Sequence, residues 1–130
     1  MALTVRELAY RRSQIRENAP EGAPGGPDDD WAGAEFLMHQ LVEEAAYYHW
    51  LDRVRARLVG DAGTDWRAAE AEIRYGRRDD HRRGMPGDVD RRLRRQVIRD
   101  KAYLRWLGRG IWGDPLPDWL AAEEEVQGHA

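Results

Sequence analysis

The stretch that decides the fold is "VIRDKAYLRWLGRGIWGDPLPDWLAAEEEV", residues 97–126. Its pieces occur twice upstream. One set is "VEEAAYYHW" (42–50) followed by "TDWRAAEAEI" (64–73), and the other is "VRELAYRR" (5–12) followed by "DDDWAGAEFLM" (28–38). Aligned on the pairs Ala9-Tyr10, Ala46-Tyr47 and Ala102-Tyr103, a β-branched residue stands five before each Tyr: Val5, Val42 and Ile98. An acid stands three before (Glu7, Glu44, Asp100), and Ser13, Trp50 and Trp106 stand three after. Aligned on Asp30-Trp31, Asp65-Trp66 and Asp118-Trp119, Ala34, Ala69 and Ala122 follow three after Trp, Glu35, Glu70 and Glu123 four after, and Met38, Ile73 and Val126 seven after.

These spacings are helical: residues at +3, +4, +7 and +8 share a face. Each copy reads as a helix, a variable loop and a second helix, which is a helical hairpin. A single hairpin buries little, and stacking copies completes a core. The repeats fall at about 4–40, 41–75 and 97–127 of a single domain spanning 1–130, with an arginine-rich insertion at about 76–96. The expected class is all-α, with five helices in three hairpin repeats around one core and a long helix shared by repeats one and two.

Local signals place the helices. Thr4 and Glu7 form a capping-box pattern ahead of Val5, Leu8, Ala9 and Arg12 on one face. "NAPEGAPGGPDDD" (18–30) interrupts the chain with three Pro and three Gly. The segment from about Asp29 to Val59 has no Pro, and Gly33 costs it about 1 kcal/mol relative to Ala. Thr64 is the expected cap of the next helix, and "GMPG" (84–87) precedes a fourth helix to Leu107. "GRGIWGDPLP" (108–117) is the loop before the last helix, and no alternating β-branched run occurs. The Asp before each Trp falls in a first turn, where a carboxylate favours the free N–H groups.

The pattern resembles a short bacterial family, domain of unknown function twenty-nine thirty-four. The likeness rests on a helix with Ala-Tyr and Trp, a Gly-rich loop, then Asp-Trp and Ala-Glu, and it is closest in the copy from Ile98 to Val126. The second copy has "RVRARLVGDAGTDW" in place of the Gly-rich loop, and the first has Ser13 in place of Trp. The resemblance covers most of the chain outside the insertion. It implies a helical fold and no assigned activity.

Composition narrows the function. With no Cys, disulfides, thiolate metal sites and a cysteine nucleophile are excluded. No apolar run reaches the length of a membrane span, and "MALTVRELAYRR" has no signal-peptide pattern, so the expected location is the cytoplasm, with no membrane partner. Six Trp and five Tyr stand against one Phe, so aromatics with polar handles supply core bulk. Tyr10, Trp31, Tyr47, Trp50, Trp66, Tyr103, Trp106 and Trp119 are the expected repeat core. Tyr–Glu or indole–carboxylate hydrogen bonds to Glu35, Glu70 and Glu123 are expected to close each hairpin.

Glu35, His39 and Glu43 share a helix face, but that stripe reads as solvated surface and not as a metal site. There is no Walker loop, HExxH or GxSxG, and "GRGIWG" follows no strand. No catalytic residue, cofactor or metal is therefore expected. Segment 74–101 carries eleven basic residues against five acids, a net of +6, which leaves −9 for the remainder. Arg77, Arg78, Arg82, Arg83, Arg91, Arg92, Arg94 and Arg95 are candidate contacts for nucleic acid or an acidic partner. The competing expectation is that they pair with acids of the other repeats. The leading reading is a non-enzymatic interaction or scaffold module that binds a protein or itself, with Ile111, Trp112 and Leu116 as apolar loop residues suited to self-association. Nucleic-acid binding through 74–101 is the alternative.

Overall fold

A computed structural model describes residues 3–19, 23–74, 86–110 and 113–127. Five α-helices account for most of them: α1 Val5–Asn18, α2 Pro27–Arg55, α3 Ala62–Arg74, α4 Pro86–Gly108 and α5 Leu116–Gln127. No strand occurs among the described residues. The all-α class is as expected. At 29 residues, α2 is about 44 Å long, and it packs against both α1 and α3. In turn, α4 packs against α5 and α1, with a lighter contact to α2.

Each helix start has a local cause. Thr4 Oγ1 accepts from the Glu7 amide at 3.1 Å, while the Glu7 carboxylate pairs with Arg11 at 3.0 Å. At α2, Pro27 takes the first position and the Asp29 carboxylate accepts from the Gly26 amide at 2.8 Å. The cap of α3 is Asp61 and not Thr64: Asp61 Oδ1 accepts from the Thr64 amide at 2.8 Å, and Thr64 lies inside the helix. α2 ends through a Schellman motif, with Leu58 N–H donating to Arg53 C=O and Arg57 N–H to Val54 C=O. Arg57 takes the left-handed conformation there at φ 57°.

The aliphatic register of the repeats is buried. Ala34, Ala69 and Ala122 are fully covered, as are Met38 and Ile73, and Val126 is buried. The aromatics are not, which corrects the expected core. Tyr10 (64% exposed), Tyr47, Tyr103, Trp31 and Trp50 face solvent, and Trp66, Trp106 and Trp119 are half-buried. The reason is angular. The buried stripe runs Asp30, Ala34, Met38, then Asp65, Ala69, Ile73, then Asp118, Ala122, Val126, each at i, i+4, i+8. Each Trp follows its Asp by one residue, about 100° round the helix. Each Tyr likewise follows an Ala of the stripe begun by Val5, Val42 or Ile98.

Two apolar clusters result. Leu3, Leu8, Leu37, Leu41, Ile73 and Leu93 belong to the larger, built from α1 to α4. Ala19, Val97, Ile98, Ala102, Ala122 and Val126 form the smaller, around α4 and α5. Ile15 packs against both.

Gly33 sits where α1, α2 and α4 meet. A Cβ there would lie 2.4 Å from Arg12 Nε and 2.3 Å from Gln96 Oε1. Both side chains are buried, and Gln96 Nε2 donates to the Gly33 carbonyl at 3.0 Å. Gly33 is therefore a close-approach residue and more than a tolerated helix breaker. Gly33→Ala gains about 1 kcal/mol of helix propensity but should lose about 1–3 kcal/mol to overpacking, for a net loss. A urea titration should show a lower midpoint at unchanged m-value.

Candidate functional site

Three buried carboxylates hold the helix junctions. Asp30, Asp65 and Asp118 are each nearly inaccessible, and each receives a forked arginine. Arg16 donates to Asp30 through Nε (3.2 Å) and Nη2 (2.8 Å). Arg53 donates to Asp65 at 3.1 and 2.9 Å, and Arg109 to Asp118 at 2.9 and 2.7 Å. The three arginines stand at one register, six residues after Tyr10, Tyr47 and Tyr103. That signal was present in the sequence beside the Ala-Tyr pairs, and the alignment above passes over it. The expected Tyr–Glu closures do not form: Tyr10, Tyr47 and Tyr103 make no hydrogen bond to Glu35, Glu70 or Glu123 among the described residues.

A second register accompanies the first. Two residues after Tyr47 and Tyr103 stand His49 and Arg105, and six after Trp66 and Trp119 stand Glu72 and Glu125. His49 Nε2 lies 2.8 Å from Glu72 Oε2, and Arg105 Nη1 lies 2.6 Å from Glu125 Oε1. In the first copy Leu37 replaces the acid. Arg12 turns instead to Asp30 (2.8 Å), Gln96 (2.8 Å) and Asp100 (2.7 Å), which ties α1 to both α2 and α4.

Hydrogen bonds from Arg53 and Arg109 hold the Asp65 and Asp118 carboxyls below the ordinary value, against the opposing effect of burial. The same bonds push the two guanidinium groups up, and Asp30 does so for Arg16. Asp61 is lowered first by the Thr64 amide.

The arginines of α4 divide by their partners. Arg92 points inward, forking Glu44 at 2.6 and 2.8 Å and reaching Asp88 at 3.0 Å. Arg91 also pairs with Asp88, and Arg99 stands 3.8 Å from Asp100. Arg94 and Arg95 have no carboxylate partner among the described residues, and the Arg95 guanidinium lies 6.0 Å from the Trp119 ring centroid. The expected pairing with acids of the other repeats thus holds for Arg92, through Glu44, whereas Arg91 pairs with Asp88 of the insertion itself and Arg94 and Arg95 pair with no acid among the described residues. Arg77, Arg78, Arg82 and Arg83 lie outside the described residues, as do Ile111 and Trp112.

Two grooves open along this face. One, of about 440 Å³, is lined by Phe36, Glu44, Arg91, Arg92, Arg95, Arg99 and Trp119, with two glutamines. The other, of about 530 Å³, is mainly apolar and runs between Tyr103, Trp106, Pro115, Leu116 and Trp119. On α2, His39 and Glu43 are two-thirds exposed and 3.4 Å apart, and His39 leans on the Trp66 ring at 5.4 Å. Among the described residues no helix is long and apolar enough to cross a membrane. Comparison of the chain with protein-family models, characterised proteins and solved structures finds no match.

Asp30→Asn keeps the shape but leaves Arg16 without its forked anion and Arg12 with Asp100 alone, so it should cost about 3–5 kcal/mol in a denaturant titration. Asp65 and Asp118, with the α3 cap Asp61, should also set the acid limit. Unfolded, they titrate near about pH 3.9. Because folding depresses Asp61, Asp65 and Asp118, the native state binds fewer protons, and their stabilisation is complete above that value and lost as pH falls below it. Asp65→Asn should therefore shrink the difference between urea midpoints at neutral pH and at about pH 3.

Proposed function

We propose that the chain is a non-enzymatic helical interaction module that binds a protein partner across the outer face of α4 and α5. One observation carries this reading: an arginine row on α4 runs into an apolar groove, and both are open to solvent. The buried charges support it, because Arg12, Asp30, Asp65 and Asp118 are engaged in ion pairs within the fold and Glu72 in a hydrogen bond with His49. So does the exposure of Phe36, Tyr103 and Leu116, which line the two grooves, since apolar surface gathered on a small domain marks a contact site. The shared Arg–Asp register supports reading the three units as divergent copies of one hairpin, in line with the resemblance to the bacterial domain of unknown function. A cytoplasmic location belongs to the same proposal.

Nucleic-acid binding is the second reading, favoured by Arg94 and Arg95, which lack carboxylate partners among the described residues. A tagged pull-down from source cells, nuclease-treated and quantified by mass spectrometry, should enrich protein over a tag-only control. Loss of all enrichment on nuclease treatment, with a duplex-DNA mobility shift at about 50 mM salt that weakens sharply by about 200 mM, would favour the second reading. With Arg91, Arg94, Arg95 and Arg99 on phosphates, the log–log salt slope would then be roughly −3 to −4.

A further inference from the structure

We propose that the occupant of this face is a segment of a partner protein whose carboxylates lie on Arg91, Arg95 and Arg99 and whose next bulky apolar side chain fills the groove beside Trp106. The proposal rests on the interaction-module reading and adds the chemistry of the partner.

The register of α4 is the first argument. Arg91, Arg95 and Arg99 stand at i, i+4 and i+8, and Ala102 and Trp106 continue the row at i+11 and i+15. The two grooves share Arg99 and Trp119, so they form one channel along the helix. From Arg95 to Trp106 the rise is about 16 Å, within reach of a short helical or extended segment.

Charge is the second. The basic half is lined by four arginines and one carboxylate, Glu44, already forked by Arg92. The apolar half carries only Arg99 and Asp114 as charged groups. A ligand matching both halves is acidic at one end and apolar at the other.

A polyanion fits less well. Duplex nucleic acid carries charge at a regular about 1.7 Å spacing and has no bulky apolar group for the second half of the channel. Asp88, Asp100 and Glu123 stand beside the arginines, where they repel a continuous row of phosphates but leave room for a few spaced carboxylates.

The test uses the full chain and a fluorescein-labelled alanine-based helical peptide. The peptide carries glutamates at i, i+4 and i+8 and leucines at i+11 and i+15, and its reversed sequence is the second probe. One of the two should bind saturably by anisotropy at about 50 mM salt. Arg95→Glu and Leu116→Asp alter exposed side chains, so their thermal melts should match the parent, and each should weaken binding at least about tenfold. Replacing the peptide leucines by alanine should weaken it comparably.

Several results would overturn the proposal. Neither orientation binding below about 1 mM is one. Equal binding of the leucine-free peptide is another, because the apolar half would then play no part. A third is a labelled DNA duplex, or a second copy of the chain, binding in a manner that Arg95→Glu and Leu116→Asp disrupt while the peptide is unaffected. If the pull-down partner is retained by both variants, this channel is not its site, and the chain is an interaction module that binds through another face.

Discussion

A forked ion pair between an arginine at the end of one helix and an aspartate at the start of the next fixes the geometry of this protein. Arg16–Asp30, Arg53–Asp65 and Arg109–Asp118 all have this form. Each partner sits where the helix dipole favours it, the cation at a C-terminal end and the carboxylate in a first turn. Two parallel N–H···O contacts define an angle as well as a distance, so the loop between the helices can vary in length without changing how they meet. The loops do vary: α2 and α3 are joined by a six-residue turn, while the α1–α2 connection contains Pro24 and two glycines of the 23–26 stretch. Such pairs need not add much net stability over an apolar equivalent. What they contribute is a heavy penalty on any other arrangement, because a misdocked helix strands a buried charge.

The sequence displayed the helices and their register plainly, since period and punctuation are local properties. Proline and glycine clusters bounded α1, α2 and α5 to within a few residues, and the matched Ala, Met, Ile and Val positions are buried as their spacing required. The aromatics do not follow this pattern, because bulk alone does not put a side chain in the seam. A helix–helix seam closed by Ala34, Ala69 and Ala122 is too narrow for indole rings, so the stripe runs through the aspartates and the rings fall beside it. Asp30 and Arg12 illustrate what pattern alone does not expose. A charge in a core position reads as surface until its partner, distant in sequence, is located.

The candidate face was legible only in part. Arg91, Arg92, Arg94 and Arg95 looked equivalent in sequence, yet on α4 they meet different surroundings. Arg92 is drawn in by Glu44, from 48 residues away, and becomes part of the scaffold. Arg95, three residues on and on the same side of α4, lies against Trp119 of α5 instead. The groove that continues past Arg99 needs Pro115 and Leu116 to return against Trp106, a juxtaposition set by the Arg109–Asp118 fork and by no local motif. Lys101 and Arg105 both reach Glu125, so these two bases are committed to holding α5 in place.

The division of the interior into two apolar clusters has a dynamic consequence. Along α4, Leu93 belongs to the larger cluster and Val97 to the smaller, and Gln96, bound to Arg12 and Gly33, stands between them. Unfastening α5 uncovers Ala122, Val126 and the C-terminal half of α4, while Leu8, Leu37, Leu41 and Ile73 keep their neighbours. Such a molecule has an intermediate rung on its ladder of openings, below global unfolding. Amide hydrogens of α5 exchange through that rung, and those at the middle of α2 wait for the whole fold to open.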